Sequence, residues 1–255
     1  SYYADASVLS FQGLREDDTD GALPTVAPVF FGEKYWDLGD YGFAAVNASS
    51  AMLTREVGAD SQRVSVGGDW SNLTVLPGGF TFKPFAEIRA DYYALDEAVS
   101  GEPDVSRAVG NAGVKIAYPL IRPGKIVDIM VEPTIMAAWG FSNANDSAIP
   151  NEDSDLYEFD ESSLFEANGF GNYDLYEGDG KASAGVTARA VFRNGPEFST
   201  TLGRRWRSRA DPNFDVASNL DGTSSDWVAE STADFGRALR VDTRVRLDDD
   251  GFKLN

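Results

Sequence analysis

The sequence predicts an all-β fold, an antiparallel transmembrane β-barrel of the outer-membrane type, of which these 255 residues are a fragment of about eleven strands. Three observations predict it. Apolar and polar residues alternate with a period of two over runs of about ten residues or more, which a helix cannot imitate. No stretch carries convincing helical spacing. The connections alternate between tight turns and long polar loops, as in a barrel with turns at one rim and loops at the other.

Tyr2 to Phe11 is extended and apolar-rich and ends at Gly13 and the acidic Arg15 to Gly21. Pro24 to Phe31 resumes strand character, and EKYWDLGDYG reads as its break. Gly42 to Leu53, small and apolar with Asn and Ser mixed in, is the weakest strand. In Arg63 to Leu73, Val64, Val66, Gly68 and Trp70 take one face, and Arg63, Ser65, Gly67 and Asp69 the other. LPGG at Leu76 to Gly79 turns the chain into Phe80 to Tyr93, where Phe82, Ala86, Ile88 and Tyr92 oppose Lys83, Glu87, Arg89 and Asp91.

A polar loop, Asp96 to Ser106, precedes Ala108 to Leu120, and IRPGK leads to Val127, Ile129, Val131, Ile135 and Trp139 set against Asp128, Met130, Glu132 and Thr134. The longest interruption follows: Ser142 to Gly180 holds eleven Asp or Glu and no Lys or Arg. A loop of this length inside a regular β array is uncommon unless it is functional or disordered. Beyond it, Ala182, Ala184, Val186, Ala188, Ala190 and Phe192 face away from Lys181, Ser183, Thr187 and Arg189. The turn Arg193 to Pro196 leads to Phe198, Thr200, Leu202 and Trp206 against Ser199, Thr201, Arg205 and Arg207. After the loop Ala210 to Ser224, Trp227, Ala229 and Ala233 oppose Glu230, Thr232 and Asp234, and Leu239, Val241, Val245 and Leu247 oppose Arg240, Asp242, Arg244 and Arg246.

Alternation alone also suits a soluble β-sandwich with one wet face. The strands, at about ten to fifteen residues, are longer than the five or six common in soluble sheets and long enough for a tilted bilayer crossing. The apolar face is rich in small residues with aromatics near the strand ends, which suits a lipid-facing band with interfacial girdles. The opposite face carries Lys83, Glu87, Arg89, Asp91, Arg189, Arg205, Arg207, Arg240, Arg244 and Arg246, which are expected to line a hydrated lumen. Any one of these charges alone reads as simply solvated, so the case rests on repetition.

Composition narrows the chemistry. A formal charge of -19 excludes non-specific binding to nucleic acid, which needs clustered Lys and Arg. The absence of cysteine and histidine removes disulfides, thiolate nucleophiles, Ser-His-Asp catalysis and the common zinc sites together. Carboxylate pairs are plentiful but none is distinguished, so no catalytic residue and no enzyme activity is expected. No apolar run reaches about 18 residues, so no membrane helix is expected. The chain opens on a strand and stops without a closing element, and reads as an excerpt whose outer strands pair with chain beyond it. Of the Arg204, Arg205, Arg207 and Arg209 cluster, Arg204 points to the opposite face from the others. No resident cofactor is expected. In the acidic loop Asn151, Glu152, Asp153, Asp155, Glu158, Asp160 and Glu161 are oxygen donors of the kind Ca²⁺ and Mg²⁺ accept, without EF-hand spacing. A divalent cation there and a merely solvated loop both stay open.

Ile149, Pro150, Asn151, Glu152, Asp153 and Ser154, followed by Phe159 and Asp160, Leu164 and Phe165, Asn168 to Gly171, and Tyr173 and Asp174, resemble the LPS-assembly outer-membrane protein family LptD. In that family an Ile-Pro-Asn-x-Asp-Ser segment precedes an acidic-aromatic stretch and a new strand. The segments SYYADASVLSFQGLREDD, DSQRVSVGGDW and FKPFAEIRADYY look like the preceding barrel strands of alphaproteobacterial-type members. Gly169 stands where Arg is commoner, and the cysteines of well-studied members have no counterpart.

The resemblance implies that residues 1–255 are the middle portion of a large barrel domain, interrupted by the acidic loop at 142–180. It implies lipopolysaccharide transport and assembly at the outer membrane of a Gram-negative bacterium, with LPS inserted into the outer leaflet by a barrel-plus-lipoprotein translocon. The implied partners are LPS, an LptE-type plug lipoprotein, the periplasmic Lpt bridge through a domain outside this stretch, and outer-membrane lipid. Ile149, Pro150, Asn151, Asp153, Ser154, Phe159, Asp160 and Phe165 carry the family motif in a loop expected to cap the extracellular exit. A porin-like channel for small solutes and a soluble carbohydrate-binding β-protein remain the alternatives.

Overall fold

A computed structural model describes residues 2–9, 25–54, 60–96, 104–143, 149, 159–169, 173–212, 214, 218–237, 239–248 and 251–252. The strands are β1 (Tyr2–Leu9), β2 (Thr25–Asp37), β3 (Phe43–Thr54), β4 (Asp60–Ser71), β5 (Thr74–Val75), β6 (Thr81–Asp96), β7 (Asp104–Ala117), β8 (Leu120–Arg122), β9 (Val127–Ser142), β10 (Asp179–Phe192), β11 (Glu197–Arg207), β12 (Trp227–Asp234), β13 (Arg240–Asp248) and β14 (Gly251–Phe252). All belong to one antiparallel sheet in which sequence neighbours pair, from β1 at one edge to β14 at the other. The exceptions are β5 and β8, short strands that pair with β6 and β9 at the turn rim. The sheet is open, and its two edge strands do not pair with each other.

Turn chemistry sets this meander. Gly78 and Gly79 hold φ of 91° and 89°, and Gly195 holds 124°, values that a side chain would strain. They reverse the chain between β5 and β6 and between β10 and β11, and so fix the register of each hairpin. Lys83 lies opposite Lys115, and Gly185 opposite Gly203. The connections β3 to β4, β6 to β7, β9 to β10 and β11 to β12 leave from the other rim.

Three differences from the sequence expectation concern strand ends. β2 runs through Glu33, Lys34, Tyr35 and Trp36 to Asp37, where a break was expected after Phe31. Those residues keep the period of two and pair with Asn47 to Phe43, so their charge does not interrupt the ladder. β7 begins at Asp104 rather than Ala108, and β10 begins inside the acidic stretch at Asp179. Arg107 within the β7 extension pairs with Asp91 on the inner face, and Asp179 at the start of β10 pairs with Arg209.

The two faces differ in cover. On the outer face Val66, Ile88, Ile135 and Trp139 are 53%, 61%, 55% and 64% exposed, and Ala182 is exposed too. An apolar sheet face this large left open is what a protein surrounded by hydrocarbon presents. The inner face is covered toward the loop rim. Phe159, Leu164, Phe214, Leu220 and Val228 form one buried apolar cluster there, and Tyr93, Leu95, Val105 and Ile149 another. Both clusters set residues from the long loops against the inner wall.

Candidate functional site

The site is the seam between the inner wall and the loop joining β9 to β10. Its first element is steric. Gly185 and Gly203 face each other across β10 and β11, and the missing side chains leave a hollow that Leu164 fills. A Cβ on Gly203 would stand 2.3 Å from Leu164 Cδ2, and one on Gly185 3.1 Å from it. Leu164 is fully buried as a result.

Around that knob the loop is held by charge. Arg205 donates from Nη1 to Glu177 Oε2 at 2.7 Å, from Nη2 to the carbonyls of Ser163, Leu164 and Glu166, and from Nε to Ser183 Oγ. Its guanidinium lies 4.7 Å from the Phe159 ring centre. Arg207 Nε lies 3.2 Å from Glu177 Oε1, near enough for ion pairing but not aligned for a hydrogen bond, and its Nη1 donates to Leu220 O. Lys181 Nζ donates to Asn111 Oδ1 and to the carbonyls of Ala167 and Glu177. Burial alone would push the Glu177 carboxyl up, but Arg205, Lys181, Arg207 and the Gly169 N–H together outweigh it and hold the group below its ordinary value.

A second anchor lies on β4, β6 and β7. Asp91 accepts from Arg107 Nε and Nη2 at 3.0 and 2.7 Å and from Arg89 Nε at 2.8 Å. These arginines also donate to the loop: Arg107 to Asp174 O and Tyr173 O, and Arg89 to Tyr173 O. Arg63 and the Tyr93 hydroxyl both donate to Asp174 Oδ1 at 3.1 Å, and Arg63 stacks 4.0 Å from the Tyr173 ring centre. The Tyr176 hydroxyl donates to Glu87 and accepts from Asn111, and burial, then the Glu87 charge, push its ionisation far above the ordinary tyrosine value. Between this anchor and the turn rim the wall and loop leave a cavity of about 510 Å³.

All ten charged residues singled out on the strands share the loop-covered face, but their surroundings differ from a uniformly wet wall. Asp91, Arg205 and Arg207 are buried under the loop. Lys83, Glu87 and Arg89 line the cavity. Arg189 pairs with Glu197, Arg240 with Asp242, Arg244 with Glu161 and Arg246 with Asp226. Arg204 points to the other face and donates to Ser225 O and Ser224 Oγ. Of the motif loop, Ile149 and Phe159 are buried, Phe165 is half-buried beneath Lys115, and Asp160 accepts from the N–H and hydroxyl of Ser162. Pro150, Asn151, Asp153 and Ser154 lie outside the described residues.

The described part of the loop folds down over the inner wall, where the sequence reading expects a cap over the exit. The cause is charge matching: Asp174 and Glu177 find the wall arginines. Among the described residues no group of three or more His, Asp or Glu converges on a common point. Sequence reasoning placed Asp174 in the family motif without giving it a partner, and did not single out Arg63, Arg107, Asn111, Glu177 and Lys181 as site residues. The available signal was complementary charge, a loop without Lys or Arg beside strands whose one face carries several of them.

A sheet that is apolar outside, ion-paired inside and filled by its own loop defines the wall of a transmembrane β-barrel. The chain belongs to the LptD family: the family model described as LPS transport system D matches residues 1–255. No curated protein matches the chain. Membership makes this a lipopolysaccharide transport and assembly protein of the outer membrane.

Proposed function

We propose that residues 1–255 form part of the barrel domain of a translocon that inserts LPS into the outer leaflet of a Gram-negative outer membrane, and that an LptE-type lipoprotein occupies the rest of the lumen. The periplasmic Lpt bridge supplies the cargo through a domain outside this stretch. The observation that carries the reading is the opposition of faces: exposed Val66, Ile88 and Ile135 outside, and buried Asp91, Arg107 and Arg205 inside under a loop that fills part of the lumen. The ten charged strand residues act in this reading as the polar wall along which a hydrophilic saccharide passes. No step requires bond chemistry.

The test is depletion of the full-length protein with complementation by a variant lacking residues 159–178. Loss of LPS from the cell surface on depletion is the expected result, with partial rescue and increased leakage of small solutes for the variant. Surface LPS that is unchanged by depletion, together with small-solute conductance, would favour the porin-like alternative. The divalent cation considered for the acidic loop belongs to the same proposal, with the loop's oxygen donors between Asn151 and Glu161 bridged to lipid phosphates. Deleting residues 151–161 without altering the cation sensitivity of surface LPS would remove it.

A further inference from the structure

Among the described residues, the cations of the inner face are matched with the exception of two lysines. Arg63, Arg89, Arg107, Arg205 and Arg207 each meet a carboxylate of the wall or loop, and Arg189, Arg240, Arg244 and Arg246 meet one in the open part of the lumen. Lys181 donates to Asn111 and to two carbonyls. Lys83 and Lys115 differ: among the described residues neither has an ion pair or a hydrogen bond. They are direct cross-strand partners on β6 and β7, and both line the 510 Å³ cavity. Like charges directly opposite each other on a sheet are destabilising, and although Asp69, Glu87 and Glu166 also line the cavity, none of them is within ion-pair distance of either lysine. The Lys115 ammonium lies 5.4 Å from the ring centre of Phe165, whose place in the loop is set by the Leu164 knob beside it. Phe85 and Asn168 complete an aromatic and amide lining of the kind that takes a sugar ring.

We infer that Lys83 and Lys115 form an anion subsite for a phosphate- or carboxylate-bearing sugar, the ring resting against Phe85 and Phe165. The inference rests on the transport reading, since the translocating glycolipid is what brings such a sugar into the lumen. An anion between the two ammonium groups converts their repulsion into two charge-assisted contacts. Charge decides occupancy here and ring contact decides orientation.

The experiment is calorimetric titration of the purified full-length protein in detergent with glucose 6-phosphate, glucuronate and glucose. Saturable binding of at least one anion, at least tenfold tighter than glucose, is expected. Lys83→Gln combined with Lys115→Gln should weaken that anion at least tenfold and leave glucose unchanged, whereas Lys83→Arg with Lys115→Arg, which keeps the charge, should retain binding. Arg193→Gln, in the turn between β10 and β11 and outside the cavity, should change nothing. Binding of the phosphate alone or of the glucuronate alone assigns the source of the anion. Undiminished binding in the glutamine pair, glucose binding as tightly as the anions, or no saturable binding overturns the subsite. Surface LPS after depletion is scored in parallel: its loss upholds the transport reading even where the titration fails, and its persistence removes that reading independently.

Discussion

Arg205 of β11 donates to Glu177 of the loop across 2.7 Å, and neither side chain is exposed to solvent. One partner belongs to the wall and the other to the plug, so the pair fastens one to the other. Two charges taken out of water are tolerated only while each is matched, and removing one strands its partner. Arg205→Leu is expected to destabilise the fold by about 3–5 kcal/mol. Arg205→Leu with Glu177→Leu should cost less than the sum of the two single changes. Urea unfolding of the protein in vesicles reads both, and strict additivity would show that the pair does not act as a unit.

The same carboxylate sets a pH dependence. Burial raises Glu177, but Arg205, Lys181 and Arg207 outweigh it, and the folded-state value lies below the ordinary one. A depressed carboxylate contributes stability above its unfolded-state value, and that contribution disappears as pH falls through the folded-state value. Loop docking should therefore hold from neutral pH down through the ordinary glutamate range, about 4.3, and weaken only in stronger acid. Protease accessibility of residues 159–178 across a pH series measures this. Release already at pH 5 to 6 would contradict the sign.

Leu164 and Gly203 make the steric counterpart. Leu164→Ala empties a fully buried position and should cost about 2–5 kcal/mol. Gly203→Ala places a methyl 2.3 Å from Leu164 Cδ2 and 2.8 Å from the Ala184 carbonyl, so it should displace the knob. If the hollow and the knob are one device, Gly203→Ala costs less in the Leu164→Ala background than alone. Thermal unfolding of the four proteins gives the coupling, which should exceed about 0.5 kcal/mol.

The strands were legible because a sheet between hydrocarbon and water writes its period of two into every element, as in Lys181 to Phe192. Charge misled only at ends, where Glu33 and Lys34 read as a break yet continue the β2 ladder. The loop's destination was not legible. Arg63 reaches Asp174 across 111 residues of sequence, and no local period encodes a contact of that span. The Gly185 and Gly203 hollow was equally hidden, because it exists only once register sets the two glycines side by side. Arg107 fell outside the expected strand, and so its pairing with Asp91 could not be drawn from alternation.

Ile135 and Met136 are neighbours on β9 with opposite surroundings, one 55% exposed and the other 1%. If the outer face meets lipid, a charge near the strand centre should cost about 2–4 kcal/mol, while the same charge on the open inner wall should cost little. Ile135→Arg and Ser199→Arg make the comparison, since Ser199 shares the face of Arg189 through direct cross-strand pairing. Residues 1–255 have no cysteine, so single replacements here can be labelled specifically once any cysteine elsewhere in the full-length protein is replaced. Ile135→Cys should react in membranes with a lipid-soluble maleimide and resist a water-soluble one, and Ser199→Cys should do the reverse. Equal arginine costs with equal labelling would mean that both faces are wet, and the open apolar face would then need a protein cover rather than a bilayer.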